Sequence, residues 1–305
     1  MEGDDARQAL ADAGRQTTSR RDLARHRSFG AVSPALGTLD EAALEEALGE
    51  DADETLAMLA DLTGATDARL RALARRLAGR VTVRLGRGGP LRERGTGRLR
   101  RVRLNPDGEL DVEASLEALV SAAATGRPAD VEDLRGTVWG RPAAALCLVV
   151  DRSGSVGGER LATAALAAAA VAARAPDDHS VVAVNHQAIV IKPQDQRRPV
   201  ADVIDDVLTL RGHGPTDLAL GLGAARAQLD RSSAVRRLTV LLSDGRPTAG
   251  DDPVAVARRL GSLAVLAPAD DADEARAFAA AAGARFEQIS GPSDIPRALR
   301  LLAEG

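Results

Sequence analysis

Tyrosine is absent from the chain, tryptophan occurs once, at Trp139, and phenylalanine three times. With so few aromatic rings there is no platform on which successive bases could stack, which counts against a nucleic-acid surface. Cysteine also occurs once. A lone Cys147 excludes an intramolecular disulfide and a multi-cysteine zinc site, and its place inside an apolar stretch suits a small buried hydrophobe, compatible with a reducing compartment. Lys192 is the only lysine, so nearly every cation is an arginine, in keeping with a coding bias. A phosphate-binding loop of the Gly-Lys-Ser/Thr type is excluded, because Lys192 is followed by Pro193 and no glycine loop precedes it. No charge of one sign dominates either: 40 basic against 44 acidic residues give a formal charge of -4, with no global pull toward nucleic acid or anionic membrane. No stretch reaches the roughly 18 to 20 apolar residues of a membrane span, and Met1 to Arg25 lacks an apolar signal segment, so a soluble cytoplasmic protein is expected.

The 305 residues divide into parts of different character. Residues 1–38, polar and rich in Arg and Asp, read as a loosely ordered leader. Residues 39–140 read as a mainly helical N-terminal region, with amphipathic spacing over Leu39 to Leu48, Glu54 to Leu62 and, after Thr66-Asp67, Leu70 to Leu77. Inside it lies a basic Gly/Arg-rich segment, 79–103, with short strand-like pieces at Val81-Thr82-Val83 and Leu99 to Leu104. This segment reads more readily as a solvated arginine arm than as a surface for nucleic acid or an acidic partner. A helix over Leu110 to Ala123 and a linker from Gly126-Arg127-Pro128 to about Arg141 complete the region.

From Arg141 onward the pattern is regular. Six strand-like runs, Ala143–Val150, Ser180–Val184, Ala188–Ile191, Leu238–Leu242, Leu263–Leu266 and Arg285–Ile289, alternate with helical stretches. Such alternation predicts βαβ units and a doubly wound α/β fold with a mostly parallel sheet.

Ligands of open α/β sheets bind beyond the carboxyl ends of the strands. The first strand ends on Asp151-Arg152-Ser153-Gly154-Ser155, the fourth on Ser243-Asp244-Gly245, and the loop Gly212-His213-Gly214-Pro215-Thr216-Asp217 places Thr216 before a helix. Asp151, Ser153, Ser155, Thr216 and Asp244 together offer three hydroxyls and two carboxylates, a donor set for magnesium or manganese. Competing chemistries fit less well. A serine-hydrolase elbow would need glycine where Ser153 stands, and phosphoaspartate chemistry on Asp151 would want a second acid at Ser153 and a lysine, leaving a magnesium-dependent phosphoryl-transfer enzyme as the minor alternative. A structural domain with ordinary Asp, Ser and Gly turns is the bland alternative. The histidines add little: His213 flanks the Thr216 loop, and His26, His179 and His186 have no partner at metal-ligand spacing. Glu159, Arg160 and Asp217 are expected as rim or capping groups, and Trp139, Phe278 and Phe286 as packing residues.

The ordered set D-x-S-x-S, Thr in a Gly-rich T-D loop and Asp in S-D-G resembles the metal-ion-dependent adhesion site of von Willebrand factor A domains, over Arg141 to Gly305. That resemblance implies Ser153, Ser155 and Thr216 as hydroxyl ligands, Asp151 and Asp244 holding the ion largely through water, and an open coordination position for an Asp or Glu of a protein partner. From Leu110 onward, including Asp133-Leu134-Arg135, the chain is similar to bacterial intracellular CoxE-like proteins that work beside MoxR-type AAA+ ATPases, and to the D subunits of magnesium chelatases. Val156 stands where many of those relatives carry Met. The resemblance implies a non-catalytic adaptor for such an ATPase, or a chelatase-type subunit assisting metal insertion into a tetrapyrrole.

Overall fold

The structure is a computed structural model that describes residues 1–13, 17–87, 98–103, 109–131, 133–140, 144–152, 157–210 and 214–304. It separates into two compact units, Met1–Pro90 with Ala144–Gly305, and Leu91–Ala143.

The larger unit begins with six helices: α1 (Asp4–Ala13), α2 (Arg20–Leu23), α3 (Phe29–Val32), α4 (Glu41–Glu50), α5 (Ala52–Leu62) and α6 (Ala68–Gly86). Three of them start where a carboxylate caps the free amides of the first turn. Asp40 accepts from the amides of Ala42 and Ala43, Asp51 from Glu54, and Asp67 from Arg69 and Leu70. Two expectations are corrected here. Residues 1–38 are no loose leader: Ala6, Leu10, Leu23, Phe29 and Val32 are buried in the core, and Met1 exchanges backbone hydrogen bonds with Ala188 and Val190. Val81-Thr82-Val83 is not a strand but the last turns of α6, because burial of Val81 and Thr82 outweighs their weak helix propensity. Arg80 and Arg84 in the same turns pair with Glu41 and Glu45 of α4, so this part of the basic segment is an ion-paired helix face.

The smaller unit holds β1 (Arg98–Arg103), β2 (Glu109–Leu110), α7 (Leu116–Thr125) and β3 (Arg135–Gly140), with antiparallel order β1-β3-β2. Two boundaries differ from expectation: the helix starts at Leu116, after the short β2, and the expected linker contains β3. Ser115 ties the two together, its hydroxyl accepting from the Arg135 amide and donating to the Arg135 carbonyl. Gly126, at φ +64, ends α7 in the left-handed conformation that glycine adopts without cost.

In the remainder of the larger unit, β4 (Ala144–Asp151), α8 (Gly158–Arg174), β5 (His179–Val184), β6 (Ala188–Lys192), α9 (Val200–Thr209), α10 (Leu218–Leu229), β7 (Arg236–Leu242), α11 (Pro253–Ala257), β8 (Leu263–Pro268), α12 (Asp273–Ala282), β9 (Arg285–Ile289) and α13 (Ile295–Glu304) follow in order. The sheet runs β6-β5-β4-β7-β8-β9, and every pair is parallel except β5 with β6. This is the doubly wound α/β architecture expected. Alternate residues of β4 serve opposite faces: Leu146, Leu148 and Val150 pack with α8, α9 and α13, while Ala145, Cys147 and Val149 pack with α10, α11 and α12. Cys147 is fully buried, and loss of water around the thiol raises its pKa to about 12, so it is an inert core residue.

The alanine run of α8 has a structural reason. One side of α8 lies on the sheet, while α5 and α6 of the N-terminal layer cover its other side. Small side chains let three layers approach closely: a Cβ on Gly86 would fall 2.6 Å from the Cβ of Ala169. Buried Leu56, Leu59 and Leu62 of α5 and Leu70 and Leu77 of α6 supply the larger apolar groups, each contributing about 2 kcal/mol.

His26 fastens the α2–α3 segment to α5. Its Nε2 lies 2.9 Å from Asp61 Oδ2 and its Nδ1 3.3 Å from Glu54 Oε1, so both ring nitrogens face acceptors and the imidazolium form is favoured. The hydrogen bond to Asp61 is the main cause of a pKa raised above 6.5. Because the folded value is raised, this stabilisation is complete below the unfolded pKa and is lost as pH climbs through the folded one. The expected result is that His26→Gln lowers the melting temperature more at about pH 5.5 than at about pH 9. Equal losses at both values would show that the imidazole acts by packing alone.

Candidate functional site

The chain passes from β4 to β5 and β6 on one side, then returns to β7 on the other, so β4 and β7 flank the point where the winding reverses. The crevice beyond their carboxyl ends is where an open α/β sheet binds its ligand. The parallel register pairs Val149 with Leu241 and Val150 with Leu242, which brings Asp151 out beside Ser243 and puts Asp244 one residue beyond it on the same edge.

Asp151 Oδ2 accepts a hydrogen bond of 2.8 Å from the Ser243 hydroxyl, whose oxygen in turn accepts from the Gly245 amide at 3.0 Å. Ser243 is buried and its amide is fixed to the Leu266 carbonyl, so the Asp151 carboxylate is held from a rigid strand end. Gly245 sits at φ +79, with Ala275 so close that a Cβ would lie 2.4 Å from its Cα; only glycine permits this turn. Asp244 Oδ1 accepts from the Arg246 amide at 3.1 Å, while the Arg246 guanidinium turns away to Asp271. Asp244 therefore has no cationic partner among the described residues.

Thr216 is 1% exposed. Its amide donates to the Thr248 hydroxyl, and its carbonyl accepts from the amides of Thr248 and Ala249 in the loop after β7. The α10 start is thereby tied to the Asp244 turn. Asp217 caps α10 by accepting from the Leu220 amide, as expected of a capping group, and its own amide donates to the Asn185 carbonyl at the end of β5. Three of the five expected ligand residues, Asp151, Thr216 and Asp244, thus lie on one edge. Ser153 and Ser155, like Gly212 and His213, lie outside the described residues.

The donor set present fits a hard divalent cation. All donors are oxygen, one carboxylate lacks a counter-ion, and no group of three or more His, Cys, Asp or Glu exists among the described residues. Hydroxyls such as that of Thr216 would have to complete the shell, as a magnesium or manganese ion that keeps several waters allows.

His179 is engaged in the core. It is buried with Nδ1 on the Ala175 carbonyl, and loss of water, reinforced by Lys192, holds its pKa at about 4, so it stays neutral. Phe278 is a core residue and Phe286 lies under the Arg276 guanidinium. Three contributors escape the sequence reading: Ser243, which the S-D-G motif contains without marking it as the group that orients Asp151; Thr248, which anchors Thr216; and Asn185, which joins β5 to the α10 start. Each is a short polar residue in a turn, and only the fold gives it a partner.

A mostly parallel sheet of this order, flanked by helices, is a Rossmann-like α/β fold. Residues 145–283 match the family model of the von Willebrand factor type A domain, and the sheet order and parallel pairing are those of its Rossmann-like fold. Domains of this family are protein-interaction modules that commonly bind a divalent ion. The chain is 32% identical over 174 residues to the uncharacterized protein sll0103 of Synechocystis sp., covering 52% of this chain but only 40% of that protein. Among solved structures, it is similar to a von Willebrand factor type A protein from Catenulispora acidiphila, with 18% identity, a TM-score of 0.44 and coverage of 56% of this chain and 44% of that one. It is also similar to the manganese-loaded TRAP protein of Plasmodium vivax, with 15% identity, a TM-score of 0.43 and coverage of 53% and 74%. Among the described residues, no helix is long and apolar enough to cross a membrane.

Proposed function

We propose that the chain is a non-catalytic, magnesium-dependent protein-interaction module, manganese serving as a substitute ion, and that it captures an Asp or Glu of a partner protein. The observation that supports this reading is that Asp151 and Asp244 lie within two residues of the carboxyl ends of adjacent parallel strands, with Thr216 tied to the loop after β7. Ser153 and Ser155 belong to the proposed ligand set by their place in the D-x-S-x-S run. Two carboxylates balance a divalent ion without exhausting its attraction for one more, so a third carboxylate from outside can bind. A phosphoryl-transfer role for Asp151 is less well supported, since its Oδ2 accepts from the Ser243 hydroxyl and the chain's one lysine, Lys192, donates to the His179 and Pro193 carbonyls.

The partner we favour is an AAA+ ATPase of MoxR type acting on a client, with the chain as adaptor in the cytoplasm; residues 1–140 supply further surface. A chelatase-type subunit that assists metal insertion into a tetrapyrrole shares the site and differs in its partners. Co-purification with a recombinant MoxR-type ATPase is expected in magnesium and is lost in EDTA. A complex indifferent to EDTA would sink the metal-bridged reading, and metal insertion into porphyrin by a reconstituted mixture would decide for the chelatase.

A further inference from the structure

Arg152 follows Asp151 directly and is 8% exposed. Its main-chain amide donates to the Val184 carbonyl at 2.9 Å, and its Nη2 donates to Asn185 Oδ1 at 3.1 Å. The buried Nε has no partner, and no carboxylate faces the guanidinium among the described residues. Elsewhere in the unit, arginines near acids are neutralised, as Arg198 is by Asp206 and Arg246 by Asp271. A guanidinium stays protonated even when burial opposes its charge. A buried cation without a counter-ion is strongly unfavourable, and each such group in a folded protein calls for an explanation.

Its position supplies one. Asn185, which accepts from Arg152, also accepts the Asp217 amide through its carbonyl, so the guanidinium is linked through Asn185 to the α10 start that follows Thr216. A divalent ion there is balanced by Asp151 and Asp244. The Asp217 carboxylate sits on the N-terminus of α10, where the helix dipole offsets part of its charge. With the Asp217 charge only partly offset, Arg152 tips the loaded edge to a net positive charge of about one half, which favours an anionic over a neutral ligand.

We propose that Arg152 is a specificity-determining charge: it makes the metal-loaded edge a receptor for one anionic side chain of a partner and disfavours neutral ligands such as a hydroxyl or an amide. This inference rests on the metal reading above. It has a signature that a merely structural arginine would lack, because a buried cation repels the metal while attracting the anion. Removing the charge while keeping a donor to Asn185, as in Arg152→Gln, is expected to tighten Mn²⁺ binding about three- to tenfold and to weaken acetate binding to the Mn²⁺-loaded protein by a similar factor. Arg152→Lys, which keeps the charge, is expected to stay within about twofold of the parent for both. Mn²⁺ binding is read by electron paramagnetic resonance titration, acetate binding by paramagnetic broadening of ¹³C-acetate, and folding of each variant by circular dichroism. Parallel weakening of both affinities in Arg152→Gln would assign the residue to loop positioning and overturn the inference. Unchanged affinities would overturn it too. If the parent protein takes up no Mn²⁺, the metal reading fails and this inference falls with it; Mn²⁺ uptake that Arg152→Gln leaves unaltered sinks the inference alone.

Discussion

Asp151→Asn is expected to weaken Mn²⁺ binding by at least about 100-fold while leaving the fold intact. The magnitude follows from removing one of the two carboxylates that balance the ion at an edge partly shielded from water, where charge interactions exceed their value in bulk solvent. The fold is expected to survive because an asparagine carbonyl oxygen can accept the same hydrogen bond that the Ser243 hydroxyl now gives to Asp151 Oδ2. Ser243→Ala removes the donor that orients Asp151 and the acceptor of the Gly245 amide, and loss of an outer-shell partner lowers metal affinity by about 10-fold or somewhat more. The two variants should therefore rank in that order in a calorimetric titration with Mn²⁺. In EDTA the melting temperature of Asp151→Asn should lie within about 2 °C of the parent, whereas Ser243→Ala should lose several degrees, since the buried Gly245 amide is left without its acceptor at a cost of about 1–3 kcal/mol. Full Mn²⁺ affinity in Asp151→Asn would remove the metal site from the account of this domain.

The placement of the two acids was legible because strand ends are legible. Apolar runs that stop on Asp151 and on Ser243-Asp244 required only that their strands be parallel neighbours for both acids to emerge on one edge, and β4 and β7 are such neighbours. What the sequence concealed was tertiary in origin. Val81-Thr82-Val83 has the local composition of a strand, yet contact with the rest of the core draws it into α6. The arginines of that turn read as a solvated arm until Glu41 and Glu45, some forty positions earlier, fold against them. The first residues carry too few apolar side chains for a periodic signal, and Ala6, Leu10 and Phe29 become core only because a surface is waiting for them. The alanine run of α8 predicted a helix but not that it would be covered on both sides. Arg152 is an unspecified position of D-x-S-x-S in the sequence, and only the fold shows its burial and its bond to Asn185.

Gly158 joins the two halves of that picture. It is the first residue of α8, three positions after Ser155, and it lies against α5 of the N-terminal layer. A Cβ at this position would fall 2.2 Å from the Ala57 carbonyl oxygen and 2.7 Å from Asp61 Oδ2. The Asp61 side chain could swing aside, although that would break its contact with His26; the Ala57 carbonyl belongs to the α5 backbone and cannot move alone. Gly158→Ala must therefore shift α5 or the start of α8. Overpacking of this kind costs about 1–3 kcal/mol and more where backbone has to move. For a unit of this size the expected fall in melting temperature is on the order of 5–10 °C. Loss of helix-layer packing should also make the amides of α5 exchange with solvent faster than those of β4 and β7, since local openings follow the weakened contact. Because the proposed metal loop leads directly into α8, Mn²⁺ affinity in Gly158→Ala is expected to fall several-fold even though no proposed ligand is altered. If its melting temperature and α5 exchange match those of the parent, the close approach of α5 to α8 is not a feature of the folded protein, and the N-terminal layer is free of the domain it covers.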